Sequence, residues 1–152
     1  VSAEPELALI PDAERLVSAY LRERPRMQAL VGERIYTAFP AQAGEGALLL
    51  IQRVGGEPPL SHPLVVDAAE LQLDAYGGPK VLAYELAATA RAELAVLEGQ
   101  VRPEGNVSAV RFGALRWLPD DTYDQPRPRY LLDVTLTVSA AKTAARALAA
   151  TR

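Results

Sequence analysis

Between residues 69 and 76 apolar and polar side chains alternate: Ala69, Leu71, Leu73 and Ala75 fall on one side, Glu70, Gln72 and Asp74 on the other. A period of two predicts a half-buried strand with one core face and one wet face. Gly77-Gly78-Pro79 follows as a turn. Its glycines permit backbone angles other residues resist, and proline suits the first helical position because its missing N–H costs nothing there. A helix is therefore predicted from about Pro79. Leu82, Leu86, Ala90, Leu94 and Leu97 recur at spacings of four and three and form its stripe, and Gly99 supplies the stop. Buried on a sheet, each of these leucines contributes about 1.5–3 kcal/mol. The remaining elements are layers added to this strand-turn-helix unit.

Upstream, residues 1–11 hold two prolines and two acids without an apolar period, which predicts an extended arm, loose or laid on a neighbour. Asp12 can cap a helix in which Ala13, Leu16, Val17, Tyr20 and Leu21 share a face and which Pro25 ends. Met27, Leu30 and Val31 allow one more helical turn, closed by Gly32, before a short strand over residues 34–39. Residues 47–54 form a strand apolar at consecutive positions, a pattern that predicts cover on both faces and a central place in the sheet. Residues 55–63, with two glycines and three prolines, read as a loop. Two further strands are expected at 106–118 and 129–139, the second with Tyr130, Leu132, Val134, Leu136 and Val138 on one face. Residues 140–152 are rich in alanine and poor in apolar surface, a tail that would fray alone. The order α-β-β-β-α-β-β predicts a single α+β domain over residues 12–139, with a mixed or mostly antiparallel sheet of four to five strands packed by two main helices.

The length of 152 residues suits one domain that needs no staple. No cysteine is present, which excludes disulfides and thiolate metal sites. A formal net charge of -3 with interspersed signs does not fit a protein that coats nucleic acid or an anionic membrane. No apolar run spans a bilayer and no secretory signal is apparent, so the chain is expected to remain in the cytoplasm.

Candidate chemistry is sparse. Gly77-Gly78-Pro79-Lys80 lies where a phosphate-binding loop would lie, but it lacks the P-loop spacing and a following Ser or Thr, and Pro79 removes an N–H. Asp120, Asp121 and Asp124 gather carboxylates without the glycine and distal glutamate of an EF-hand. The sole histidine, His62, sits between Ser61 and Pro63 in the proline-rich loop, which is not the geometry of a nucleophile and its base. No catalytic residue, metal site or cofactor is expected. Trp117 stands at a loop root as a core or interface anchor. The connection 119–128 is long for a hairpin and stiffened by Pro119, Pro126 and Pro128. With Trp117, Asp120, Asp121, Tyr123, Asp124 and Arg127 it makes a candidate partner-docking segment, expected to contribute little to the fold.

Four blocks carry a resemblance. They are Leu30-Val31-Gly32-Glu33-Arg34-Ile35-Tyr36 after the opening helix, Leu49-Leu50-Ile51-Gln52-Arg53-Val54-Gly55-Gly56, Leu71-Gln72-Leu73-Asp74-Ala75-Tyr76 with its alanine-rich helix, and Arg127-Pro128-Arg129-Tyr130-Leu131-Leu132-Asp133-Val134. In order and pattern, over most of residues 12–139, the chain resembles the tail terminator, or tail completion, proteins of bacteriophages with long non-contractile tails. The resemblance implies a structural virion protein at the tail-neck junction, assembled in the host cytoplasm. It implies a homohexameric ring on the head-proximal end of the tail tube that stops tube growth and meets a head-side connector or stopper protein, with no enzyme activity and no cofactor. DNA would pass through the ring without specific binding, and Glu70, Gln72 and Asp74, or the acidic loop, would face the channel. Another neck protein, or an anion- or nucleotide-binding module using the Gly77–Lys80 turn, is the alternative.

Overall fold

A computed structural model describes residues 9–61 and 65–140. Most of the arm, His62, and the alanine-rich tail beyond Ala140 lie outside the described residues. The elements are α1 (Ala13–Arg22), α2 (Pro25–Val31), β1 (Ile35–Tyr36), β2 (Leu48–Gly55), β3 (Val66–Tyr76), α3 (Lys80–Leu97), β4 (Val101–Arg102), β5 (Gly105–Trp117) and β6 (Arg129–Ser139). They build an α+β fold around one mixed sheet, ordered β1-β2-β3-β6-β5-β4. Only β1 and β2 run parallel; every other neighbouring pair is antiparallel.

The sheet has six strands where four to five were expected. The addition is β4, whose two residues pair with Asn106 and Gly105. A two-residue strand is fixed by its partner and leaves no alternation to read. All three described helices lie on one side of the sheet and bury the main core: Leu16, Val17, Tyr20 and Leu21 of α1, Met27 of α2, and Leu86, Leu94 and Leu97 of α3 meet Leu49, Ile51, Leu71, Leu73 and the alternate residues Leu132, Val134, Leu136 and Val138. Asp12 caps α1 through Arg15 N–H at 3.2 Å. Tyr20 satisfies its buried hydroxyl by donating to the Glu93 carbonyl at 2.7 Å, which ties α1 to α3.

Two local expectations are corrected. Pro79 is the cap of α3 and not its first helical residue, with ψ at 156°. The buried stripe of α3 runs through Ala83, Leu86, Ala87, Ala90, Leu94 and Leu97, while Leu82 is 39% exposed. Steps of four residues drift around a helix by about 40° each, so a stripe read only in fours leaves the core face at one end. Gly77 and Gly78 do not have positive φ. Gly77 is needed for closeness instead: a Cβ there would lie 2.4 Å from the Ala83 nitrogen and 2.8 Å from the Pro79 carbonyl.

The consecutive apolar run of β2 is covered on both faces, as its pattern predicts. Leu49 and Ile51 enter the main core, while Leu48 and Leu50 join Ala43, Tyr76 and Tyr36 in a smaller cluster on the opposite side of the sheet. Its place is second from the edge, with β3 and β6 central. The second cover comes from the 37–47 connection, which Arg34 holds by donating to the carbonyls of Ala43 and Ala47. No described helix is long and apolar enough to cross a membrane.

Candidate functional site

The sheet face turned away from the helices divides into a covered end and an open end, and this division sorts the candidate residues. Glu70 is exposed, Gln72 is half-buried, and Asp74 is buried. Asp74 therefore leaves the wet row in which strict alternation places it. The physical reason is the cover just described, which closes over Leu48, Leu50 and Tyr76 and brings the 119–128 connection against the same end of β3.

That connection is tied down at its root. Asp120 and Arg127 exchange both backbone hydrogen bonds at 2.9 Å, extending the β5–β6 hairpin beyond its named strands. The Asp120 carboxylate is buried and accepts from three donors: Tyr76 Oη at 2.7 Å, Thr122 Oγ1 at 2.7 Å and Thr122 N–H at 3.1 Å. Arg129 donates to Tyr76 Oη at 3.3 Å and to the Leu118 carbonyl at 2.9 Å, and its guanidinium lies 3.8 Å from both Asp74 and Asp120. Gln72 donates to Asp74 at 2.9 Å.

These environments split the two carboxyls. Burial raises the pKa of Asp74 above the ordinary carboxylate value, and the Gln72 hydrogen bond and the Arg129 charge offset this only in part. Burial also pushes Asp120 upward, but hydrogen bonds from Thr122 and Tyr76, with the charge of Arg129, outweigh it and leave Asp120 lowered. The Tyr76 phenol is pushed up to about 12 by burial and by its bond to Asp120. The group is a stable ion-paired clamp with every carboxylate partnered.

Of the docking candidates, Asp120 belongs to this clamp, and the exposed part of the connection is 121–126, with Tyr123 at its middle. Arg127 stacks over Tyr76 and Tyr123, at 5.0 and 5.4 Å from their ring centroids, and donates to the Gly46 carbonyl at 3.1 Å. Trp117 lies on the helix side of the sheet, in register with Tyr130, with the Lys80 ammonium 4.4 Å from its ring centroid. The structure does not bring Trp117 together with Tyr123 and Arg127.

A cleft of about 560 Å³ runs between Gly44-Glu45, the Gly77-Gly78 turn and residues 123–128. The Gly77 N–H donates across its base to the Pro128 carbonyl at 3.2 Å, so that amide is committed to the fold. Asp124 and Glu45 also line the cleft, a poor setting for an anion. Among the described residues no group of three or more His, Asp or Glu side chains could hold a metal.

The open end of the sheet face mixes signs. Glu70 stands opposite Thr135 and Gln72 opposite Asp133, while Arg116 pairs with Asp133 at 3.5 Å and Arg111 is in register with Thr135. Sequence reasoning missed a second clamp at the far end of β3, where Arg53 binds Asp67 through two bonds of 2.5 and 3.0 Å and Glu14 accepts from the Arg53 N–H at 2.7 Å. The signal was present: Asp67 and Arg53 extend the core-facing series of β3 and β2, and charges at such positions require partners.

No protein-family model and no curated protein sequence matches this chain. Its fold is similar to that of a chain in a solved structure described as the virion of a native gene transfer agent (GTA) particle, with a TM-score of 0.62 over 84% of this chain and 95% of that one, at 17% identity.

Proposed function

We propose that this chain is a structural protein of a phage-like virion and, within it, the tail terminator: a homohexameric ring on the head-proximal end of the tail tube that stops tube growth and receives the DNA-filled head. The observation that carries the reading is the fold shared, over 84% of this chain and 95% of the other, with a chain of a gene transfer agent virion. The sequence blocks that resemble tail terminators add the place in the particle. The partners are further copies of the chain, the tail tube protein, and a head-side connector or stopper. The exposed tip at 121–126 and the Trp117 patch offer two separate surfaces to them, on opposite sides of the sheet.

The alternative anion-binding module loses ground on geometry, because the Gly77 amide is already used and carboxylates line the adjoining cleft. Electron microscopy of particles made without this protein tests the proposal. Filled heads beside unjoined tails, with tubes of uncontrolled length, are expected. Tubes of normal length beside heads that have lost their DNA would assign a head-side stopper instead, and intact virions would remove the neck reading altogether.

A further inference from the structure

Where α3 meets β5 and β6 the surface is aromatic and positively charged. Tyr130, half-buried against the main core, holds the Trp117 ring at 5.2 Å and the Tyr84 ring at 5.4 Å between centroids. Both outer rings stay open to solvent, 39% exposed at Trp117 and 51% at Tyr84. Anchored tryptophan and tyrosine are the side chains that dominate protein interfaces, and a ring fixed in advance loses little freedom on binding. The Lys80 ammonium lies 4.4 Å from the Trp117 centroid, and Arg91 repeats the arrangement over Phe112 at 4.7 Å. Among the described residues neither cation pairs with an acid. Glu98, on the same side of α3, caps its far end and accepts from the Val110 N–H at 3.0 Å. Beyond Tyr84 the groove towards α2 carries both signs, with Arg26, Glu85 and Glu93 in its lining.

We propose that the Trp117–Tyr84–Lys80 patch receives the exposed segment 121–124 of a second copy of the chain, and that this is the repeating contact of the ring. Asp121 and Asp124 are exposed and, among the described residues, pair with no cation. Tyr123 lies between them, 38% exposed. The acids complement Lys80, and the phenol ring complements those of Trp117 and Tyr84. Pro119, Pro126 and the Arg127 guanidinium, 5.4 Å from the Tyr123 centroid, shape the segment before it binds and limit the ordering cost.

The geometry selects a neighbour over the same chain. Residues 123–128 line a cleft with Gly44 and Glu45 on the far face of the sheet, while Trp117 lies on the helix side. Three strand steps, about 14 Å, separate β2 from β5. Segment and patch nevertheless stand at one end of the strands, because Leu48 is in register with Tyr76, Tyr76 with Arg129, and Tyr130 with Trp117. β4 covers β5 only at Gly105 and Asn106, the opposite end, and leaves the Trp117 end as the margin of the sheet. A neighbour set with its β1–β2 edge beside this margin brings its segment to the patch without a shift along the strands. A head-to-tail contact free of such a shift closes into a ring when its rotation divides a full turn, whereas a shift at each subunit winds a filament. The inference rests on the ring of the proposed function and names its two contact surfaces.

The chain contains no cysteine, so introduced thiols report directly. Full-length Lys80→Cys and Asp124→Cys chains are co-assembled into tails and oxidised. A disulfide-linked pair that forms only when both variants are present is the expected result. Charge reversal supplies a second readout. Lys80→Glu, or Asp121→Lys with Asp124→Lys, should lower incorporation into tails several-fold at unchanged melting temperature, and the three substitutions combined should restore most of it. A linked pair in tails built from Lys80→Cys chains alone would show a two-fold contact and overturn the proposal. Rings visible by electron microscopy with neither the mixed disulfide nor the restoration would overturn this contact while leaving the ring standing. A chain absent from tails would overturn both.

Discussion

Asp74 and Asp120 lie at equal distance from the Arg129 guanidinium, yet their pKa values shift in opposite directions, because burial dominates at Asp74, which receives one hydrogen bond, and is outweighed at Asp120, which receives three. The consequence for stability has two signs. Asp74 binds its proton more tightly folded than unfolded, so lowering the pH through its raised pKa adds stability until the ordinary carboxylate value, about 3.9, is reached. Asp120 binds its proton less tightly when folded, so its contribution is present above that ordinary value and is lost as the pH falls through the lowered one. Chemical denaturation measured against pH should therefore show this pair's contribution rising on mild acidification and falling below about pH 4. Asp74→Asn should remove the first limb, and Asp120→Asn the second. Tyr76→Phe takes a donor from a buried carboxylate and should cost about 1–3 kcal/mol, read as a shift in denaturation midpoint at unchanged slope. The paired glycines separate in the same assay. Gly77→Ala drives a methyl into the first turn of α3 and should cost about 1–3 kcal/mol, whereas Gly78→Ala meets nothing within 4 Å and should be neutral or stabilising by up to about 1 kcal/mol.

The 119–128 connection behaves as two pieces. Its base is part of the fold through the Asp120–Arg127 bridge and the clamp beneath it, while residues 121–126 are exposed and line one wall of the cleft. Replacing 121–126 by a short glycine-containing turn, with Asp120 and Arg127 kept, should leave the melting temperature nearly unchanged and impair tail joining in a complementation assay. Extending the replacement through Asp120 should lower the melting temperature as well, and normal joining by the shorter replacement would refute a docking role for the tip. This split was not legible in the sequence, where the prolines and acids of 119–128 read uniformly as loop. A single carboxylate buried by a tyrosine from β3 has no local pattern, because its partner lies 44 residues away. What was legible followed from periodicity: the α1 face, both faces of β2, and the alternation of β6 all appear where the pattern puts them. The α3 stripe was placed one residue off at its start, and β4 was invisible, since two residues carry no period. Asp74 failed for a tertiary reason, because strict alternation reports which side of a strand a residue occupies and not whether a loop covers that side.

At the scale of the whole molecule the proposal requires DNA to move through a ring without being held. With Asp74 buried, the open sheet face offers Glu70 and Gln72, with Asp133 and Thr135 beside them and Arg111 and Arg116 on the adjoining strand. The Arg116–Asp133 pair at 3.5 Å offsets part of the positive charge, and the chain as a whole carries a net -3. Phosphate binding grows with the number of cations that displace counterions, so a face with two arginines among acids, one of them paired with Asp133, should hold duplex DNA weakly and lose even that as salt rises. Fluorescence anisotropy with a duplex at physiological salt should show no saturable binding by the wild-type ring. Glu70→Lys combined with Gln72→Lys should create binding whose affinity falls steeply with salt, provided that this face lines the bore. Unchanged, absent binding by that variant in assembled rings would move the face to the outside. Tight wild-type binding with a steep salt dependence would overturn the passive channel, since a surface that neutralises many phosphates at once grips the duplex it is meant to pass.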